Sequence, residues 1–226
     1  NGDWKRITDI RYSGNIINKR INSFYFLEDK FFITGEFGFI DYSYSLIPGD
    51  YVEKIGSFPN QAAVKEILIK NDTIYASVSS GFEKTLRDPK VWTNFTISNG
   101  LAYNLCKSTI SNGDSILIFH ENGLSLYREG KISVLVRDLT GENSLRGIGM
   151  ISNTFLYCNV FTVRTLSNIV MWSSPKDEIK TFFNSTDNPT QLYGLVGFKN
   201  GGFSIVDKNA SEEIFPPTPM SNLFLT

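Results

Sequence analysis

Three glycines recur along this chain at nearly the same interval, and this repeat constrains the fold more than any single motif does. Gly38, Gly81 and Gly123 lie 43 and 42 residues apart, each within the same local pattern. An alternating apolar and polar segment is followed by a polar turn, an apolar run, a second turn that ends in glycine, and a further apolar pair. The chain is therefore predicted to be a repeat protein.

The length of the repeat unit fits four short strands. Its copies run from Ile21 to Asp41, from Val64 to Lys84 and from Leu105 to Leu126. Period-two alternation bounded by Asn, Asp and Gly indicates three strands joined by two turns. A fourth strand follows in each copy, from Tyr51 to Ile55, from Trp92 to Thr96 and from Lys131 to Leu135. Because a propeller blade holds four strands in about 40 to 45 residues, we predict an all-β fold, a β-propeller of four-stranded antiparallel blades.

The fourth copy of the repeat lacks its glycine. The next one in phase would fall near position 165, where the chain reads Val160 to Thr165, and the phase returns at Gly202. We therefore predict a degenerate fourth blade and a fifth blade that starts at Leu192. The strands of the fourth blade are predicted from Leu145 to Ile151, from Phe155 to Val160, from Ile169 to Ser173 and from Ile179 to Phe183.

About five blades are thus predicted, in a single propeller domain or a partial propeller. The blade cores are placed at residues 21–60, 64–100, 105–137, 145–184 and 191–226. The segment from Asn222 to Thr226 resembles the opening strand of a further blade, and that from Asp3 to Ile7 the closing strand of a preceding one. We expect part of a larger ring, a preference that the missing initiator Met supports. A small closed ring in which these two segments pair is the alternative.

Composition narrows the classes of partner. The formal net charge is −1 and only 20% of residues are charged, which is unlike the basic footprint of a nucleic-acid-binding protein. No apolar run approaches the roughly 18 residues that a membrane helix needs. We therefore predict neither a nucleic-acid partner nor a transmembrane segment within this chain.

Residues that could carry catalysis or bind a metal are sparse. Cys106 and Cys158 are predicted to be buried free thiols in strands of neighbouring blades. The single histidine, His120, is interpreted as a turn residue that makes an ordinary hydrogen bond. No catalytic motif is present, so no catalytic residue, metal or cofactor is predicted. The segment from Asp207 to Glu213 spaces oxygen-bearing side chains as a calcium loop would, but it lacks the required glycine and is better explained as a solvated connection between strands.

Two pairs of residues suggest modification, and four aromatic residues suggest binding. Asp72-Thr73 and Asp114-Ser115 occupy equivalent turns and resemble the sequon at which Bacteroidetes-type bacteria O-glycosylate exported proteins, with Thr73 and Ser115 as acceptors. Local hydrogen bonding in hairpin turns is the alternative explanation. Sugars stack on exposed aromatic rings, and the candidates near strand ends are Tyr42, Tyr44, Trp92 and Trp172. Packing between blades is their alternative role, and substitution by Ala is then predicted to lower stability rather than binding.

Three segments resemble the propeller of PorZ-type proteins, surface components of the type IX secretion machinery that are related to two-component-regulator propeller repeats. A fourth resembles the segment with which such propellers pass to the next module. The four are F-F-I-T-G-E-F-G-F-I-D from Phe31, Y-V-E-K-I-G from Tyr51, V-K-E-I-L-I-K-N-D-T-I-Y-A-S-V-S-S-G-F from Val64, and F-P-P-T-P-M-S-N from Phe215. Thr218 replaces a glycine that is usual in the last of these. The resemblance covers most of the chain and is specific from about Ile21 to Thr96. The matched positions are structural, so no ligand-binding or catalytic residue is carried over.

The resemblance implies a function outside catalysis. Such proteins carry two seven-bladed propellers and a sorting domain, which would make this chain part of one seven-bladed ring. They are exported to the bacterial cell surface at the outer membrane, dock a sortase-like peptidase and recognise lipopolysaccharide. The alternative is the oligosaccharide-sensing propeller of a hybrid two-component histidine kinase, which would be periplasmic. The two differ in the module that comes after the propeller, which is a sorting domain in one and a membrane span with a kinase in the other.

Overall fold

The computed structural model describes most of the chain between Arg11 and Ile214 as strands and short connections. The described residues are 11–12, 15–16, 20–27, 30–36, 38–44, 51–55, 63–86, 91–151, 153–174, 178–183, 193–200, 202–207 and 211–214. They fall into two compact units, Asn1–Asn94 and Phe95–Thr226. The predicted terminal strands, from Asp3 to Ile7 and from Asn222 to Thr226, lie outside the described residues, as does the segment from Phe215.

The first unit contains a short hairpin and two four-stranded sheets, the second of which ends with a strand that crosses into the next unit. The hairpin pairs β1 (Arg11–Tyr12) with β2 (Asn15–Ile16). The first sheet consists of β3 (Ile21–Leu27), β4 (Lys30–Gly35), β5 (Gly38–Tyr44) and β6 (Tyr51–Ile55). The second sheet consists of β7 (Val64–Lys70), β8 (Thr73–Val78), β9 (Gly81–Leu86) and β10 (Thr93–Phe95).

The second unit contains three further four-stranded sheets and two 3-10 helices, Ile97–Asn99 and Gly141–Asn143. The third sheet consists of β11 (Cys106–Asn112), β12 (Ser115–His120), β13 (Leu124–Arg128) and β14 (Lys131–Val136). The fourth consists of β15 (Gly147–Ile151), β16 (Thr154–Cys158), β17 (Thr162–Thr165) and β18 (Val170–Ser173). The fifth consists of β19 (Ile179–Phe183), β20 (Tyr193–Phe198), β21 (Phe203–Asp207) and β22 (Ser211–Ile214).

Every four-stranded sheet is an antiparallel meander in which the strands pair in chain order. Within each unit, the first strands of consecutive sheets approach one another: β3 lies next to β7, β11 next to β15, and β15 next to β19. Sheets that succeed one another in this way, with their first strands side by side, are the blades of a β-propeller. The predicted fold class is confirmed, and five blades are described. That the chain forms a single propeller domain or part of a larger ring stays a prediction.

The strand assignment of the fourth blade was wrong in two places. Its third strand is Thr162–Thr165, in the segment that lacks the repeat glycine, and Ile179–Phe183 opens the fifth sheet instead of closing the fourth. The reason is that Thr162 takes the place of the repeat glycine, 39 residues after Gly123 and 40 before Gly202. The Asn159 N–H donates to the Thr162 carbonyl at 3.0 Å, as the His120 N–H donates to the Gly123 carbonyl at 3.0 Å in the third blade.

Apolar side chains fill the space between neighbouring blades. One core joins the first two sheets and includes Phe32, Val64 and Ile74. A second joins the third and fourth sheets through residues such as Leu117 and Ile148. The third joins the fourth and fifth sheets and is built around Phe182. Within each unit, neighbouring blades therefore bury a face against one another, as expected of a repeat fold.

Candidate functional site

In the second unit, two kinds of connection lie at the same end of the sheets. Successive strands are antiparallel, so the hairpins between second and third strands and the connections that lead into β11, β15 and β19 lie at the same end. We call this end the loop face. Backbone hydrogen bonds join the two kinds of connection: Leu139 N–H donates to the Asn122 carbonyl at 3.1 Å, and Lys199 N–H to the Glu178 carbonyl at 2.9 Å. The loop face is thus held in place by the main chain, and its side chains can serve for recognition.

A half-buried tyrosine and an exposed aspartate are hydrogen-bonded to each other at one corner of the loop face. The Tyr103 hydroxyl donates to Asp138 Oδ1 at 2.6 Å and accepts from the Asp138 N–H at 3.1 Å. Asp138 has a φ of 58°, a left-handed conformation that this double contact supports. The hydrogen bond to the carboxylate raises the pKa of Tyr103. Beside it, a Cβ on Gly123 would lie 2.6 Å from the Val136 carbonyl oxygen, which explains the glycine of the third repeat.

A bulge recurs where the first strand of each blade begins, at the end that forms the loop face in the second unit. The pairing slips by one residue after Ile21, Val64, Cys106 and Ile179, so that Asn22, Lys65, Lys107 and Lys180 are left without a partner on the second strand. In the fourth blade, Arg146 donates its N–H to the Cys158 carbonyl at 2.9 Å while Gly147 pairs with the same residue. Two residues therefore oppose one in all five blades, which is the definition of a β-bulge.

Four of these five bulge residues are basic, a pattern that the sequence analysis missed. Lys107, Arg146 and Lys180 are exposed in the second unit, and Lys65 is half-buried in the first. The signal is present in the sequence where four of the five first strands begin, as V-K-E, C-K-S, L-R-G and I-K-T. Alternation of apolar and polar residues does not reveal it, because a bulge breaks the period of two.

His120, Cys106 and Ser125 form a buried polar cluster that resembles a nucleophile and its base. The His120 Nε2 lies 2.9 Å from Ser125 Oγ, and its Nδ1 lies 3.6 Å from Cys106 Sγ. Ser125 Oγ also accepts the Ala102 N–H at 2.8 Å, so the hydroxyl links the histidine ring to the connection before β11. His120 was expected to be a turn residue with an ordinary hydrogen bond; the hydrogen bond exists, but the side chain is fully buried.

Burial sets the protonation states of this cluster. Burial lowers the pKa of His120 to about 4, so the ring is neutral at pH 7. Burial also raises the pKa of the Cys106 thiol, which keeps it protonated. The other cysteine, Cys158, is buried as well, and burial raises its pKa to about 12. Both cysteines are free and lie in strands of neighbouring blades, as predicted.

The four aromatic candidates are not brought together by any described contact. Tyr42 and Tyr44 lie on β5, where Tyr42 is opposite Glu53 and Tyr44 is opposite Tyr51. Trp92 is half-buried against the core of the first two sheets. Trp172 packs on the core of the fourth and fifth sheets, with its ring centroid 6.1 Å from that of Phe198. Both tryptophans therefore take part in packing, and a role of the four in binding stays a prediction.

The two hydroxyl candidates open the second strands of neighbouring blades, next to exposed aspartates. Asn71 and Asp72 both have positive φ, 47° and 57°, as a two-residue type I′ hairpin requires, and Thr73 Oγ1 donates to the Asn71 carbonyl at 3.4 Å. Ser115 pairs with Asn112 across the equivalent hairpin of the third blade. Both hydroxyl residues are half-buried, and their glycosylation stays a prediction.

The described residues contain neither a metal-ligand cluster nor a membrane-spanning helix. No group of three or more His, Cys, Asp or Glu side chains there could hold a metal ion. Asp207 ends β21 and Ser211 begins β22, so the calcium-like segment connects two strands. Nor does the described part of the chain contain a helix long and apolar enough to cross a membrane.

Comparisons with known proteins agree with this architecture. No family model and no curated protein matches the sequence. Solved structures do match. One is the extracellular domain of BT4673 from B. thetaiotaomicron, described as a hybrid two component system. It superimposes with a TM-score of 0.70 at 17% sequence identity, over 92% of this chain and 29% of that one. The chain has the β-propeller fold of that domain.

Two further structures extend the likeness. The extracellular domain of BT3049, from the same organism, gives a TM-score of 0.61 at 15% identity, over 96% of this chain and 30% of that one. PorZ, a surface component of the type IX secretion system of Porphyromonas gingivalis, gives 0.55 at 12% identity, over 88% of this chain and 26% of that one. The resemblance to PorZ-type and two-component-regulator propellers is thus confirmed for the fold. The chain spans less than a third of the length of each.

Proposed function

We propose that this chain belongs to an exported, non-enzymatic propeller that recognises a protein partner and a surface glycan through its loop face. The observation that carries the proposal is the contrast between the buried cluster and the loop face. The interior buries the residues that are suited to nucleophilic chemistry, Cys106, His120 and Ser125. In contrast, the connections of the loop face carry polar side chains such as Tyr103 and Asp138. This division favours binding over turnover.

In the first version of this function, the propeller is a surface component of a bacterial secretion machinery at the outer membrane. The likeness to PorZ supports this version, together with the segments from Phe31, Tyr51 and Val64. Its partner would be a sortase-like peptidase and its glycan lipopolysaccharide. The rigidity of the blades suits such docking, because a pre-organised surface loses little entropy on binding.

In the second version, the propeller senses an oligosaccharide for a two-component system from the periplasm. A specific observation favours it: the superposition on the BT4673 extracellular domain is closer than that on PorZ, with TM-scores of 0.70 and 0.55. Both versions share an exported, non-enzymatic propeller, and they differ in the rest of the polypeptide. The full reading frame therefore separates them, by a sorting domain in one case and a membrane span with a kinase in the other.

The shared part of the proposal is tested by titrating the purified chain with a panel of neutral and acidic oligosaccharides in a calorimeter. The same mixtures are then analysed by chromatography for cleaved products. We expect saturable heat with at least one oligosaccharide and no products after prolonged incubation. Cleavage that disappears in a His120→Gln variant would overturn the non-enzymatic proposal. Absence of saturable binding to every oligosaccharide would overturn its glycan part.

A further inference from the structure

The basic bulge residues of the second unit stand in a row along the loop face. Each comes directly after the connection that leads into a first strand, and the first strands β11, β15 and β19 lie side by side. Lys107, Arg146 and Lys180 therefore occupy equivalent places on three neighbouring strands. Packed sheets are about 10 Å apart, so their charges are separated by about one sheet spacing. A bulge aims the extra side chain away from the regular alternation, and bulges are common beside functional sites.

The charges of this row are only partly compensated. Lys107 lies 3.6 Å from Glu121, in an exposed ion pair whose side chains are 41% and 60% accessible. The nearby Glu178 is paired with Lys199 at 3.1 Å. Among the described residues, neither Arg146 nor Lys180 takes part in an ion pair. In a chain whose formal net charge is −1, this leaves two uncompensated cations side by side on one face.

We infer that Lys107, Arg146 and Lys180 form a binding row for an extended ligand that carries carboxylate or phosphate groups at regular intervals. Arg146 supplies a planar fork for one oxyanion, and Lys180 a point charge for the next. Lys107 exchanges its weak contact with Glu121 for a third. An acidic oligosaccharide has this chemistry, so the inference rests on the proposed function and names the class of glycan. It also stands without that function, because a phosphorylated ligand would satisfy the same row.

A charge-matched pair of variants tests the row. Arg146→Gln with Lys180→Gln removes the two uncompensated cations, whereas Arg128→Gln with Lys131→Gln removes two exposed cations from β13 and β14, away from the first strands. Both double variants lose two positive charges. The probes are hexagalacturonate, which carries six carboxylates, inorganic pyrophosphate and the neutral maltohexaose. Binding is measured by calorimetry at two salt concentrations, and folding is checked by urea denaturation.

We expect hexagalacturonate to bind the parent chain, and more weakly as salt increases. The Arg146 and Lys180 variant should raise its Kd about five- to tenfold, since each exposed charge pair contributes only modestly to binding. The Arg128 and Lys131 variant should stay within about twofold, as a long-range effect alone would give. Equal weakening in both variants, or no binding of either anionic probe, would overturn the inference.

The remaining outcomes separate the row from the proposed function. Binding of maltohexaose as tight as that of hexagalacturonate would overturn the row and leave glycan recognition standing. Binding of pyrophosphate that the Arg146 and Lys180 variant abolishes, without binding of either saccharide, would support the row as a phosphate site. That second outcome would contradict the glycan part of the proposed function.

Discussion

At the scale of single residues, His120 shows how a polar side chain can enter the interior of a blade. Its two ring nitrogens face Ser125 and Cys106, and Ser125 in turn accepts the backbone N–H of Ala102. The cluster therefore ties the first, second and third strands of the blade to the connection before them. A buried polar group that is fully hydrogen-bonded holds a specific arrangement, because breaking one contact leaves another group unsatisfied.

The first prediction is that His120 makes stability depend on pH. An unfolded histidine binds its proton near pH 6.5, whereas burial lowers the pKa of His120 to about 4. The unfolded state therefore holds more protons between these values, so the contribution to stability is complete above about pH 6.5 and declines as the pH falls towards 4. The expected loss at pH 4 is about 3 kcal/mol of unfolding free energy, relative to pH 7.

Urea denaturation of the parent chain and of His120→Gln at pH 7, 5.5 and 4 measures this contribution. Glutamine keeps an acceptor and a donor but does not titrate in this range, so the difference between the two curves isolates the histidine. We expect the gap between parent and variant to narrow as the pH falls. Parallel curves over the whole range would mean that His120 is already solvated in the folded state.

The sequence located this histidine but could not show its burial. Its place at the end of an apolar run and before Glu121-Asn122-Gly123 fits an exposed turn equally well. The connection before β11, which is distant in sequence from the turn, covers this site: it places Tyr103 beside the histidine ring and Ala102 against Ser125. Contacts of this range do not leave a local pattern, so the hydrogen bond was predictable and the environment was not.

At the scale of elements, a side chain stabilises the hairpin of the fourth blade that has no repeat glycine. Asn159 Oδ1 accepts hydrogen bonds from Phe161 N–H at 3.1 Å, from Thr162 N–H at 2.7 Å and from Thr162 Oγ1 at 2.8 Å. This fixes the hairpin between β16 and β17 in the absence of the repeat glycine. The period of the repeat predicts this blade from the sequence but misplaces its third strand, because no glycine marks the turn.

The second prediction concerns this turn. Asn159→Ala removes the common acceptor of three donors in a side chain that is only 5% exposed, and should lower the unfolding free energy by about 1 to 3 kcal/mol. The matched control is Asn122→Ala in the hairpin of the third blade, whose side chain makes no hydrogen bond within the described part of the chain. It should change stability by no more than about 0.5 kcal/mol. Equal losses in the two variants would show that the Asn159 contacts are not specific.

The third prediction concerns the packing of the fourth blade on the fifth. A Cβ placed on Gly149 would lie 2.1 Å from Cε1 of Phe182, a buried ring at the centre of the core between these sheets. Gly149→Ala should therefore cost about 1 to 3 kcal/mol through overpacking. Gly197→Ala, where the new Cβ would meet only Thr181 Cγ2 at 2.9 Å, should cost less. Urea denaturation of both variants measures the difference.

A second-site change makes this prediction sharper. Phe182→Leu removes part of the ring that the new methyl group would meet, so the two substitutions should be less harmful together than their separate costs imply. Full additivity would show that the cost of Gly149→Ala comes from the backbone of β15 and not from the ring.

At the scale of the whole molecule, the described chain is a series of blades whose cores do not overlap. The core between the first two sheets shares no residue with the core between the fourth and fifth. In a repeat protein, stability is approximately the sum of the intrinsic stability of each repeat and the contacts between neighbours. The periodic glycines made this modular fold predictable from sequence. The basic row was not predictable in the same way, since it depends on bulges that become visible only when strands are paired.

The fourth prediction rests on this separation of cores. Ile74→Val and Ile179→Val each delete one buried methylene, in the first and the last of the three cores, and each should cost about 0.5 to 1.5 kcal/mol. Because the two sites share no packing partners, the double variant should lose the sum of the two costs to within about 0.5 kcal/mol. The control is Val163→Ala with Ile179→Val, which share one core and should depart from additivity. Urea denaturation of the parent and these variants gives both comparisons, and coupling between the distant pair as large as that within one core would contradict a modular organisation of stability.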